Sequence, residues 1–458
     1  QKTAYEIVDC DWSSDVCSSD LVWSKQVKWI NGNFTLAGHS ADELAEKFGT
    51  PAFLLDEDDF RSRAREFQTE FSKAFGEGNV SVFYAGKAFL ATRIANWLAE
   101  DGLSLDVCTG GELAVAKAVN FPAERIEFHG NNKSEEEIAD AIDYGVALIA
   151  LDSFIEIKRV QAIASSKNRI QKVIIRTTPG IEAHTHEFIA TAHEDVKFGF
   201  SIASGAAKQA AQEVLRSSNL ELVGFHAHIG SQIFDTKGHQ LTAERILKLM
   251  AEVKQLGANI DYLDLGGGFG VAYTESDQPM QVSEIAQSLY EFLRDECKKY
   301  SIPIPHIAIE PGRAIAAPSM TTIYRVGTVK NVVLENGKTR QYVSVDGGMS
   351  DNIRTSLYDA VYSVALASSH TGDSIPSRVV GKHCESGDVV VKDVELPADI
   401  KVGDLLLTPV TGAYGRSMAS NYNHVPRPPV IAVRADGCEI VVRRETYADL
   451  LRLDGMEK

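Results

Sequence analysis

Between residues 80 and 310 the sequence repeats one pattern, a short β-prone run followed by a helical one, and this pattern constrains the fold more than anything else. The β-runs are Val80–Tyr84, Leu103–Val107, Ile126–Phe128, Ala147–Leu151, Lys172–Arg176, Leu222–His228, Tyr262–Leu265 and Ile307–Ile309. Helical spacing fills most of the gaps. In Lys87–Glu100 the residues Phe89, Leu90, Ile94, Trp97 and Leu98 share one helical face, and Ala203–Arg216, Gln240–Leu256 and Val282–Tyr300 behave alike. Eight such units predict a parallel (β/α)₈ barrel of the TIM type. An open doubly wound sheet would gather its chemistry at a single switch point. Here polar residues sit where many runs end: Lys87, Asp106 with Thr109, His129, Arg176, His228, Gly266-Gly267-Gly268 and Glu310. That distribution belongs to a barrel mouth.

After about Pro318 the pattern changes to β-like runs punctuated by Gly and Pro, among them Thr322–Val333, Arg340–Val345, Asp388–Val394, Leu405–Pro409 and Val430–Arg434. They predict a second, mainly antiparallel β-domain. The expected division is a barrel at 57–317 and a β-domain at 318–458 that also takes the N-terminal segment 23–56. Residues 1–22, QKTAYEIVDCDWSSDVCSSDLV, lack any period and carry a Ser/Asp-rich stretch that resembles translated adapter sequence. They are expected to be a leader outside the fold, so Cys10 and Cys17 are set aside.

Four constellations carry chemistry. Lys87, in Tyr84-Ala85-Gly86-Lys87-Ala88, follows the first strand. Partial desolvation there would lower its pKa and free an amine able to form a Schiff base, although a lysine at a helix start more often faces solvent. Gly266-Gly267-Gly268-Phe269-Gly270 and Glu310-Pro311-Gly312-Arg313 follow the seventh and eighth strands, where barrels hold phosphate on backbone N–H groups. In His226-Ala227-His228 both rings face inward by the strand period. No carboxylate or third histidine lies near them in sequence, so a structural histidine or a ring stacked on a flat cofactor is expected, and no metal. His184 and His186 read as loop structure. Cys384-Glu385-Ser386-Gly387-Asp388 lies far along the chain, a buried thiol by default or a functional one given its charged neighbours.

In order along the chain, YAGKA, DVCTGGEL, HGNNK, KFGF, HAHIGSQ, LGGGFG, EPGR, CESGD and GAYG resemble the fold-type III pyridoxal-phosphate decarboxylases over about Phe34 to Pro429. The stretch Pro179–Phe200 looks like that family's actinobacterial branch. The resemblance implies pyridoxal 5'-phosphate held by Lys87 as an internal aldimine, with His228 stacked on the ring and Glu310 on the pyridine nitrogen. Ser231, Gly268, Gly312, Arg313 and Tyr414 would serve the phosphate end. Arg313, Arg354, Tyr358 and Tyr414 would meet the substrate, the first three at its distal carboxylate, with Glu385 at its distal ammonium. Cys384 would reach the partner's site in a homodimer and return a proton to Cα, with Lys87 as the alternative donor. The implied reaction is decarboxylation of meso-2,6-diaminopimelate to L-lysine through a quinonoid intermediate. One departure is Thr355, where the family often has proline.

Charge and cysteine usage frame these expectations. With 46 Lys+Arg against 63 Asp+Glu the net charge is −17, which argues against a nucleic-acid binder while leaving room for a local basic pocket. No apolar run approaches the ~20 residues of a membrane span. Six scattered cysteines without a CxxC pair suggest a cytoplasmic protein. The rival readings are a decarboxylase of ornithine, arginine or a carboxylated polyamine, and a non-catalytic relative that binds the cofactor.

Overall fold

The computed structural model describes residues 21–180 and 197–455. Eight parallel strands run Val80–Ala85, Ser104–Val107, Ile126–Phe128, Leu148–Leu151, Gln171–Thr178, Leu220–His226, Tyr262–Asp264 and His306–Ile309. Each pairs with its successor, and Ile307–Ile309 pairs back onto Val80–Val82, which closes the barrel. Runs buried on both faces, such as Leu148–Leu151, explain why these strands read as continuous apolar stretches rather than alternations.

The helices lie outside the barrel and turn their apolar faces to it. Thr92–Glu100 buries Ile94, Ala95, Trp97 and Leu98, and Val282–Tyr300 buries Ile285, Leu289 and Leu293. The first of these was expected to begin at Lys87. It begins five residues later because the preceding carbonyls are taken: Tyr84 donates to the Phe89 carbonyl at 2.7 Å, and the Tyr414 amide donates to that of Ala88 at 2.9 Å. Lys87 therefore sits on a loop. The sixth strand ends at His226, so His228 also stands on the loop beyond it.

The β-domain is organised by the long strand Met320–Val333. It pairs antiparallel with Thr339–Val345, Leu405–Thr408 and Ala52–Asp56. Ala52–Asp56 lies between it and Val430–Arg434, so the N-terminal strand sits inside the C-terminal sheet. Most pairings are antiparallel, with parallel pairs at Gln341–Ser344 against Ser377–Val380 and at Phe53–Asp56 against Val430–Val433. A hairpin of Val27–Ile30 and Asn33–Leu36 precedes it, a pair the sequence pattern did not indicate. Val22, placed with the leader on sequence grounds, is buried in the core. Cys10, Cys17, His184 and His186 lie outside the described residues. Among the described residues no helix is long and apolar enough to cross a membrane.

Candidate active site at the barrel mouth

The chemistry gathers at the C-terminal ends of the barrel strands. Lys87 reaches in from the first loop, its Nζ 4.0 Å from Asp106 Oδ2 at the end of the second strand. Burial works to lower the Lys87 pKa, but the charges of Asp106 and Glu310 outweigh it and the amine is held above its ordinary value. The expected depression is thus reversed, because sequence alone does not reveal that two carboxylates face the amine. Asp106 in turn is pushed up to about 8 by burial and by Glu310, with Lys87 pulling the other way.

Beneath the amine lies a polar layer inside the barrel. Glu310 Oε1 is 2.9 Å from His226 Nε2 and 3.2 Å from His129 Nε2. Burial would raise the Glu310 pKa, yet the two histidines and Lys87 hold it well below the usual carboxylate range. Both histidines are kept neutral by burial. Asp264 and Glu127 are pushed the other way, first by burial and then by neighbouring carboxyls. His129, His226, Asp264 and Glu310 bring their ligating atoms within 4.8 Å of one another. The expectation that no carboxylate or third histidine accompanies His226 is therefore wrong. Three other strands supply the missing groups, and a set of two imidazoles and two carboxylates is chemically able to hold a divalent metal. His228 stands on the loop just beyond His226. Its Nδ1 accepts from the Gly267 N–H at 3.2 Å, and burial, with Lys87 next, keeps the ring neutral.

The glycine loops form a cradle. Gly268 has φ +93°, and a Cβ there would lie 2.5 Å from the Gly230 carbonyl. A Cβ at Gly312 would crowd Ala85 and Ala88 at 2.9 and 3.1 Å. Arg313 is buried beside the cradle. It donates from Nε and Nη2 to Ser231 Oγ at 3.2 and 2.9 Å and lies 4.9 Å from the ring centre of Tyr414. Arg354 enters from the β-domain and donates to the hydroxyls of Tyr273 at 2.6 Å and Tyr362 at 3.0 Å. Tyr358, named on the sequence, is not its hydrogen-bond partner. Tyr273 and Tyr362 were missed, since neither belongs to a motif with readable chemistry. The hydroxyl of Thr355 donates to the Val390 carbonyl at 3.0 Å, a bond a proline at this position could not make.

Cys384 and Glu385 stand apart from this assembly. Both are exposed, the Cys384 amide donates to Asn423 Oδ1 at 3.0 Å, and Tyr422 donates to Glu385 at 3.5 Å. Within one chain, no hydrogen bond or ion pair joins either of them to Lys87 or Glu310 among the described residues.

The residues present fit pyridoxal phosphate. A glycine cradle with a buried arginine suits a phosphate, an anionic carboxylate suits a pyridinium nitrogen, and the Lys87 side chain supplies a primary amino group for an aldehyde. The family model for the pyridoxal binding domain of pyridoxal-dependent decarboxylases matches residues 57–317. The chain belongs to that family. More particularly, it is 51% identical over 430 residues to the diaminopimelate decarboxylase of Mycobacterium tuberculosis, covering 92% of this chain and 95% of that one. Among solved structures it resembles the diaminopimelate decarboxylase of M. jannaschii in complex with L-lysine, with a TM-score of 0.87, 31% identity, and coverage of 95% of this chain and 98% of that one. The Helicobacter pylori diaminopimelate decarboxylase complexed with L-lysine gives 0.80 and 32%, over 90% and 98%.

Proposed function

We propose that the protein decarboxylates meso-2,6-diaminopimelate to L-lysine and CO₂ with pyridoxal 5'-phosphate, the last step of lysine biosynthesis. The observation that carries this reading is the joint placement of the Lys87 Nζ, Glu310 and two buried arginines around one cradle. When bound, pyridoxal phosphate supplies an electron sink for the electrons left by departing CO₂. Lys87 Nζ would hold its aldehyde carbon, and Glu310 its ring nitrogen. The anionic state of Glu310 is what that pairing requires. His228, a neutral ring fixed by Gly267, would lie on the cofactor's face. Ser231, Gly268, Gly312, Arg313 and Tyr414 would take the phosphate.

Arg354, with Arg313 and Tyr358, would bind the carboxylate at the far end of the substrate, and Glu385 the ammonium beside it. A plain diamine precursor such as ornithine offers no carboxylate there. The exposure of Cys384 and Glu385 supports a homodimer in which this loop completes the partner's site. Cys384 Sγ would then return the proton to Cα, with Lys87 Nζ as the alternative donor. The four described cysteines are unpaired, in keeping with a cytoplasmic protein.

The test is CO₂ release across meso-diaminopimelate, ornithine, arginine and lysine, with absorbance of the cofactor-loaded protein. Turnover is expected with diaminopimelate alone, and the cofactor's band is expected to be lost in K87A. No turnover of diaminopimelate would overturn the reading. Mixing K87A with C384A should restore activity if the sites are shared.

A further inference from the structure

Arg313 and Arg354 are both buried, and neither has a carboxylate within ion-pair distance among the described residues. One phenol oxygen joins them. Arg313 Nη1 donates to Tyr273 Oη at 2.5 Å and Arg354 Nη1 donates to the same atom at 2.6 Å. Arg313 follows the eighth barrel strand, Arg354 opens a helix of the β-domain, and Tyr273 stands on the loop after the seventh strand. The three come from distant parts of the chain, and this oxygen is the hydrogen-bond acceptor that the two arginines share.

Tyr273 is itself held on every side. Its amide donates to Asp277 Oδ2 at 3.0 Å, and its carbonyl accepts from Ser363 Oγ at 3.0 Å. Its ring meets Tyr362 edge-on at 5.2 Å, and the Arg354 guanidinium lies 5.1 Å from its ring centre. A rigid acceptor that orders two long cationic side chains removes an entropy cost that the ligand would otherwise bear. Two ordered guanidinium groups with no anion between them suit a planar carboxylate.

We propose that Tyr273 is a specificity-determining positioning residue: its hydroxyl joins Arg313 and Arg354 into one fork for the carboxylate at the far end of the substrate. This rests on the reaction proposed above and deepens it. Tyr362 supports Arg354 alone. Ser231 holds Arg313 independently, so the phosphate end of the site does not depend on Tyr273.

The experiment compares wild type, Y273F and Y362F as holoenzymes. Y273F keeps the ring and loses only the shared acceptor. KM for meso-diaminopimelate should rise about 10-fold or more, the effect of one hydrogen bond to a charged group, with kcat within about threefold because the reacting end is untouched. Inhibition by L-lysine, which keeps the far carboxylate, should weaken in parallel. Inhibition by cadaverine, which has no carboxylate, should not change, nor should the affinity for pyridoxal phosphate. Y362F should show a smaller rise in KM. An unfolded fraction lowers apparent kcat but leaves KM and the lysine-to-cadaverine ratio intact, so instability of Y273F cannot hide the effect. A KM for Y273F within twofold of wild type overturns the proposal, and so does an equal loss of lysine and cadaverine. If wild type does not release CO₂ from diaminopimelate, the proposed reaction fails. The lysine-to-cadaverine ratio still reports on the fork.

Discussion

Lys133 is an enclosed cation behind the site, and its removal makes a sharp test of the electrostatics. Its ammonium donates to the Gly130 carbonyl at 2.6 Å and the Ala150 carbonyl at 2.8 Å, and ion-pairs with Glu156 Oε1 at 2.9 Å. Lys133 is 1% exposed and Glu156 3%. The lysine thereby ties the loop that follows His129 to the fourth barrel strand and the helix after it. Lys133→Met fits the space but leaves Glu156 as a buried carboxylate without its cation, which costs about 3–5 kcal/mol. At roughly 2–4 °C per kcal/mol for a large domain, melting of the cofactor-saturated protein should fall by about 10 °C.

The double variant Lys133→Met/Glu156→Gln should recover about 1–3 kcal/mol of this. The amide carries no charge and its oxygen can still accept from the Asp152 N–H, which Glu156 Oε2 now does at 2.7 Å. The pH dependence follows in sign. Burial already raises the Glu156 pKa, with Lys133 opposing it, so without the lysine the native state binds its proton still more tightly than the unfolded chain. The Lys133→Met deficit should therefore be small near pH 4 and grow as pH rises past the ordinary glutamate range. A deficit independent of pH, or a double variant no more stable than the single, would refute the reasoning.

Three further outcomes are expected. Gly268→Ala combines a φ of +93° with a Cβ 2.5 Å from the Gly230 carbonyl, so it should cost about 1–3 kcal/mol and loosen cofactor retention on gel filtration; unchanged retention would count against the cradle. Burial pushes the Asp56 carboxyl up to about 6, which makes its native pKa higher than its unfolded one, and the stability it contributes fades as pH rises from about 4 to 6. Asp56→Asn keeps a helix cap without titrating, so its melting temperature relative to wild type should climb across that window by up to roughly 3 kcal/mol in equivalent stability, and a flat difference would refute this. Truncation through Leu21, which is exposed, should be tolerated, whereas truncation through Val22 should cost about 2 kcal/mol more for the buried side chain, a difference that a melting comparison would reveal.

What could be read in the sequence follows from range. Barrel strands and helices announce themselves by local period, and Val282–Tyr300 is observed with the limits the spacing predicts. Ala52–Asp56 shows no such signal of its partners: all five residues are buried, and its neighbours in the sheet lie more than 260 positions away. The site divides in the same way. Lys87, His228, Glu310 and Arg313 stand in motifs whose chemistry is legible. Tyr273 and Tyr362 are ordinary tyrosines until Arg354 arrives from another domain. His226 shows the same limit, since Asp264, His129 and Glu310 each come from a different strand.

The sign of the charge now separates by depth rather than by composition. A chain with net charge −17 holds the pKa of Glu310 well below the carboxylate range at the mouth, while burial and neighbouring carboxyls push Asp264 and Glu127 well above it. At the mouth it spends two buried arginines that face hydroxyls instead of carboxylates. Burying a cation without a carboxylate partner is costly. Leaving both without a carboxylate makes sense when a ligand brings its own anions. Under the function proposed above, Glu310 would meet a ring cation and the two arginines a phosphate and a carboxylate, which would make the site selective at both ends. The selectivity at the rim depends on Arg354, which reaches the barrel only because the β-domain packs over its mouth.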